Sequence, residues 1–449
     1  MPRPSAVLRP LISLALVLCA AGSALAQRTG YTRDEFVRRR AALMERAKSG
    51  GIILFGDVDV PAGAHFRQDN DFFYFSGNED LGAVMVMVPA AGEAVLFLPE
   101  LSAREVMVDG PNLLGDPQAR AKTGFKDIFP LGYLDEYLAR NMSRFEGVLH
   151  LRLSPRDTMD NARSETALMD ARKARSHYNA QISLDQDRIE KLRGRYPGLA
   201  FRDVTPAIDA LRAIKTAEEI EVMRRNGRLS AEGVRAAMLA GRPGAFEYEA
   251  EAAAMAVVLK GGASGPAYAP IVGSGPNSCT WHYDRNSRRI ESPDLVLMDF
   301  GADLDHLTMD ITRTWPASGR FTTEQKEVYR VVLEVEKACI EAYRPGATPK
   351  DVRDHVAAVL KAKGLDPRGL EGGFGHGVGL AVHDVPLGGI LKEGMVFAIE
   401  PALYYPDKAM GIRVEDTVLI TRTGCEVLSA GVPKEIEEVE KLLAGRTGK

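Results

Sequence analysis

Four carboxylates stand where the surrounding pattern calls for apolar residues. Asp299 and Asp310 lie in 295-LVLMDFGADLDHLTMDITRTW-315, and Glu400 and Glu415 in 395-MVFAIEPALYYPDKAMGIRVEDTVLIT-421. Each stretch reads as an apolar strand, a polar turn and a returning strand. Asp299 and Asp310 are symmetric about Leu304-Asp305, and Glu400 and Glu415 about Asp407-Lys408. In an unbulged hairpin such pairs face each other with Cβ atoms about 5 Å apart. Two like charges at that separation repel by about 3 kcal/mol at an effective dielectric of about 20, and burial adds a desolvation cost. A chain that builds this twice needs cations to offset it. The alternative, two solvated surface hairpins, does not suit strands this apolar.

A histidine from 372-GGFGHGVGLAVHDVP-386 completes a set of five donors, mostly hard oxygens. Such a set suits manganese, or cobalt, iron or zinc. Four carboxylates are more than one open catalytic ion requires; they suit two ions about 3.5 Å apart, with one carboxylate from each hairpin bridging. A pair of ions lowers the pKa of a shared water and stabilises a developing oxyanion, which is hydrolase chemistry. His376 lies between glycines, His383 in VHDVP and His282 after Trp281; imidazoles beside such a site can pass protons to and from a leaving amine. Arg413 shares a strand face with Glu415, where it either orients a ligand carboxylate or lies at the rim. His65, His150, His177, His306 and His355 read as structural, with His306 at a loop tip.

The elements that must carry these residues form an α/β chain. At roughly 150 residues per domain, 449 residues make two or three domains. The first, over residues 27–205, alternates strands at 51–58, 72–77, 82–89, 93–99 and 147–153 with helices near 31–48, 102–108 and 131–141. It ends in a charged stretch, 161–195, read as a solvated connecting helix. The second covers residues 206–449 and opens with a capping box, Thr216 to Glu219. Its order (two helices, carboxylate hairpin, two helices, carboxylate hairpin) suggests two related halves.

Residues 1–26 read as a secretory signal: Arg3 and Arg9, an apolar run from Leu11 to Ala21, and Ala24-Leu25-Ala26 before the cut. The mature chain is then periplasmic or secreted. An uncleaved anchor is the alternative, although the run is short for a bilayer. Cleavage takes the formal net charge from −4 to −6, a balance that favours neither nucleic acid nor an anionic membrane as partner. The three cysteines left, Cys279, Cys339 and Cys425, imply no disulfide framework.

The runs DFG to DITRTW, GHGVG, AIEP and GIRVEDT resemble the pita-bread metallopeptidases, over about residues 206–445. The segments 66-FRQDNDFFYFSGNED-80 and 429-SAGVPKEIEEVEKLL-443 resemble the aminopeptidase P branch in particular. The resemblance implies a creatinase- or aminopeptidase-P-like α/β domain followed by a two-half pita-bread catalytic domain. It implies two divalent ions, manganese first. Asp299 would chelate one ion, Asp310 and Glu415 would bridge, and His376 would bind the second. Glu400 would bind that second ion and act as general base. His282 would contact substrate and assist proton transfer, and His383 would contact the substrate carbonyl and amine. Arg413 matches the arginine of the family's GIRxED segment.

The activity implied is hydrolysis between an N-terminal residue and a penultimate proline, on peptide substrates, by dimers or tetramers. A prolidase restricted to Xaa-Pro dipeptides is the alternative within the family. A metal-free binding module, or a metal-free hydrolase such as creatinase, is the alternative of another class; those relatives have lost carboxylates that are all present here. The chain departs from the family pattern in three places. Gly372 replaces an additional histidine of many members, DFG sets a larger Phe300 beside the site, and HGVG replaces the commoner HWLG.

Overall fold

The structure is a computed structural model describing residues 30–58, 60, 65–178, 182–366, 370–371, 375–386 and 388–448. Residues 1–26, read as a signal, and Gly372 lie outside the described residues. The N-terminal part is built on a six-stranded sheet in the order Asp127–Pro130, Glu93–Leu98, Val84–Val88, Gly51–Phe55, Val148–Leu151, Ala200–Asp203. The two central pairings are antiparallel and the outer ones parallel. Alternation along the strands gives each face its own core: Met85, Met87 and Leu96 pack on one side, Val84, Val86, Val95 and Phe97 on the other.

Of residues 72–77, expected as a strand, 72–76 belong to a buried helix, Asn70–Ser76. The Asp69 side chain accepts the Phe72 N–H at its start and Gly77 closes it in the left-handed region at φ 61°. An apolar run buried on every side has no periodicity to separate helix from strand. The charged stretch 161–195 is likewise not one solvated helix. It forms two, Arg163–Lys173 and Leu184–Arg195, and Arg163 is buried, paired with Asp71 and Asp209.

In the C-terminal part, the Thr216–Glu219 capping box starts the helix Ala217–Ala240, which packs on Glu247–Lys260. A sheet of Ile271–Ser274, Leu295–Asp299 and Thr312–Pro316 follows. The helices Thr323–Ala342 and Pro349–Lys363 and a second sheet repeat the plan. That sheet runs His376–Gly377, Val396–Ile399, Asp416–Ile420, Cys425–Val427. The halves are joined directly: the Glu415 N–H donates to the Thr312 carbonyl at 3.0 Å. No helix among the described residues is long and apolar enough to cross a membrane.

The second hairpin has the register its symmetry required, with Ile399 opposite Asp416 and Ala402 opposite Arg413, which sets Glu400 against Glu415. The first does not. Thr312, not Asp310, lies opposite Asp299. The turn is centred one residue later than expected, on Asp305 and His306, between Leu304 and Leu307, which exchange two 3.0 Å backbone bonds. Both turn residues have positive φ, 52° and 65°. That is the backbone a two-residue primed turn demands, and Asp and His tolerate it better than Leu does. Asp299 and Asp310 are therefore diagonal rather than directly opposed.

Candidate metal centre

Asp299 ends its strand and Asp310 precedes the returning one. His376 sits opposite Ala398, two residues before Glu400 along the neighbouring strand, and Thr417 flanks Ala398 on the other side. The period of two then turns His376, Glu400 and Glu415 towards the first hairpin. Ligand atoms of Asp310, His376 and Glu415 lie within 4.8 Å of one another. His376 Nε2 is 3.5 Å from Asp310 Oδ2 and 3.6 Å from Glu400 Oε1. Its Nδ1 faces the Gly377 carbonyl at 3.2 Å, which leaves the Nε2 lone pair aimed at the carboxylates.

Neighbouring side chains fix the carboxylates. Arg413 is buried and donates to Asp299 Oδ2 at 2.5 Å, to Thr312 Oγ1 at 2.9 Å and to the Tyr404 hydroxyl at 3.0 Å. It is not a rim arginine, and the candidate ligand it orients, Asp299, belongs to the other hairpin. The Thr312 hydroxyl donates to Glu415 Oε2 at 2.6 Å. The Tyr268 hydroxyl lies 2.5 Å from Asp299 Oδ1 and 2.6 Å from Asp310 Oδ1. Glu415 Oε1 is buried with no hydrogen-bond partner among the described residues. A carboxylate oxygen left bare in a carboxylate cluster is what a cation would cover, and two Asp, two Glu and one imidazole suit a hard divalent ion.

The electrostatics agree. Burial, then Glu415 and Asp299, raises Asp310 well above the usual carboxylate range. Burial, Asp299 and Glu400 do the same to Glu415. Burial raises Glu400, with Arg413 opposing and Asp299 reinforcing. Burial lowers His376 to about 4, so its ring is a neutral donor near neutral pH. A cluster that holds protons in place of cations must release them when cations bind.

Two sequence profiles match the chain: metallopeptidase family M24 over residues 221–422 and the aminopeptidase P N-terminal domain over residues 36–150. The Xaa-Pro aminopeptidase of Escherichia coli K12 is 34% identical over 458 residues, spanning 92% of this chain and 98% of that one. The chain belongs to the aminopeptidase P branch of the M24 metallopeptidases. It is therefore an enzyme of the Xaa-Pro aminopeptidase class, with the two-domain pita-bread architecture. The structure of E. coli aminopeptidase P with the inhibitor Pro-Leu superposes with a TM-score of 0.79 at 30% identity, covering 93% of this chain and all of that one. The Pseudomonas aeruginosa aminopeptidase PepP gives 0.77 at 32% identity, covering 93% and 99%. The Xaa-Pro dipeptidase of Pyrococcus furiosus is 36% identical over 252 residues, 55% of this chain and 72% of that one.

Within this M24 site, the ring of His383 stands edge-on to His376, with centroids 4.3 Å apart. His282 is exposed on a turn, and among the described residues no hydrogen bond joins it to the cluster; its neighbour Trp281 stacks on Tyr404 at 5.7 Å. Phe300, expected beside the site, points the other way: it is fully buried and packs at Gly233 of the helix Ala217–Ala240, as alternation after Asp299 requires. Tyr268, Thr312 and Tyr404 were not singled out from sequence. Thr312 could have been, since it follows Asp310 at strand period. Tyr268, in SGPAYAP, has no local signal.

Proposed function

We propose that this chain is an exported dinuclear-metal aminopeptidase, manganese-dependent, that releases the N-terminal residue from peptides with proline in second place. The observation that carries this is the cluster of Asp310, His376 and Glu415, with Glu400 beside His376 and Asp299 joined to Asp310 through Tyr268, around a Glu415 Oε1 that has no partner among the described residues. The full-length likeness to Xaa-Pro aminopeptidases supports it. Asp299, Asp310, His376, Glu400 and Glu415 would hold the metal. When bound, two divalent ions supply an acidified water and charge stabilisation for the developing oxyanion. Glu400, its basicity raised by burial, takes the proton of the attacking water and returns it to the proline nitrogen. That nitrogen carries no hydrogen in the peptide and must gain one to leave. Arg413 holds Asp299 throughout, and His282 and His383 contact substrate from the rim.

The prolidase reading has its own support in the 36% identity of the catalytic part to a dipeptidase. One assay separates the two: manganese-loaded protein, residues 27–449, on Arg-Pro-Pro and on Ala-Pro side by side. Cleavage of the tripeptide with little action on the dipeptide is expected. The reverse would make the enzyme a prolidase, and failure on both with metal bound would discard proline as the specificity element. Export with cleavage after Ala26 predicts a periplasmic or secreted chain beginning at Gln27. The division near residue 205, and assembly as dimers or tetramers, belong to the same proposal.

A further inference from the structure

The tripeptide Val382-His383-Asp384 is gripped by the segment that links the two domains together with the first residues of the catalytic half. The Val382 N–H donates to the Met159 carbonyl at 2.7 Å. Asp384 accepts from Arg212 at 2.5 Å and from Lys215 at 2.8 Å, and Arg212 also reaches Asp157. Between these anchors, His383 Nδ1 lies 2.8 Å from Glu165 Oε1. Glu165 is itself held, because its other oxygen accepts the Ala162 N–H at 2.7 Å at the start of the helix Arg163–Lys173. Arg163, two residues earlier, ties that helix to Asp71 and Asp209.

We propose that Glu165 is a positioning residue for His383, fixing its ring plane and its tautomer. An ionised carboxylate only accepts hydrogen bonds, so Nδ1 carries the hydrogen and Nε2 keeps the lone pair. Glu165 touches no reacting atom; it acts through the imidazole beside His376. The side chains of the pair are 33% and 40% exposed, so the contact sets geometry rather than stability. The inference rests on the peptidase reading only for its kinetic consequence.

Glu165→Gln tests it. One end of the side chain faces a backbone N–H donor, so glutamine must place its carbonyl there and its NH₂ at His383. Nδ1 becomes an acceptor and the proton moves to Nε2. The capping role survives, since Gln serves in a capping box, so Tm and bound metal are expected to stay unchanged. In long-range ¹H–¹⁵N spectra of the zinc-loaded, ¹⁵N-histidine-labelled protein, His383 (assigned with His383→Asn) is expected to switch from Nδ1–H to Nε2–H. On Arg-Pro-Pro, kcat is expected to fall about 10- to 100-fold, the range for lost orienting partners, with KM little changed. Retention of the Nδ1–H form in E165Q, or a switched tautomer with full kcat, overturns the proposal. The spectroscopic readout requires no turnover, so it decides the tautomer assignment even if the peptidase reading fails.

Discussion

Glu415 has one oxygen bound by Thr312 and one without a partner among the described residues. Asp310 and Glu415 both hold protons far above the usual carboxylate range. In the metal-free protein their folded pKa values exceed the unfolded ones. Their contribution to stability is therefore full in acid and is lost as pH rises. His376 runs the other way: lowered to about 4 from 6.5, it contributes above 6.5 and ceases to as pH falls towards 4. Above pH about 6.5 the carboxylates alone govern the metal-linked balance. The rise in Tm on adding manganese should then grow as pH rises above about 6.5, because binding displaces protons. Thermal scans with and without metal check this, and a gain independent of pH would contradict the assignment of these carboxylates as ligands. For Glu400→Ala the expectation is a fall in turnover of roughly 10²–10⁴-fold with an unchanged circular dichroism spectrum. A variant that remains active would remove Glu400 as general base.

The two hairpins differ in how much of them could be read. The second has its turn at the polar tip PDK, where Pro406 and the left-handed Ala409 (φ 50°) centre it as symmetry suggests. In the first, the choice between Leu304-Asp305 and Asp305-His306 is decided by backbone sign at the turn, which hydrophobic alternation does not report. Gly301 has a role no pattern shows: a Cβ there would stand 1.6 Å from the Met309 carbonyl oxygen. The hairpin closes on bare backbone just beside both aspartates. Gly301→Ala should therefore lower stability by about 1–3 kcal/mol, the range for overpacking, and reduce metal occupancy together with it. Denaturant unfolding and metal analysis measure both; an alanine variant as stable as the parent would contradict the register described.

On the scale of the whole molecule, the four candidate carboxylates were legible because each breaks an apolar strand, while His376 stood out only by its place between glycines and by the family motif. What was not legible is how the N-terminal part enters the site. Arg67 donates to Asp303, to the His306 carbonyl and to the Leu380 carbonyl, so one side chain spans the tip of the first hairpin and the loop before His383. His306 stacks on Phe73 with centroids 3.5 Å apart. Arg212 is buried among Asp71, Asp157 and Asp384. All of these but Arg212–Asp157 join residues more than a hundred positions apart, and nothing in local composition marks them. Arg212→Met leaves three buried carboxylates short of a cation and should cost about 3–5 kcal/mol. Equilibrium unfolding checks this; a loss well under 1 kcal/mol would mean the network relaxes around the gap.

The central claim is a two-ion site built from both hairpins, and the most direct measurement is the metal content of manganese-equilibrated protein. The account predicts two ions per chain, falling to one or none in Glu415→Gln. A wild-type protein that retains no divalent ion after gel filtration, or a Glu415→Gln variant that still holds two, would contradict it.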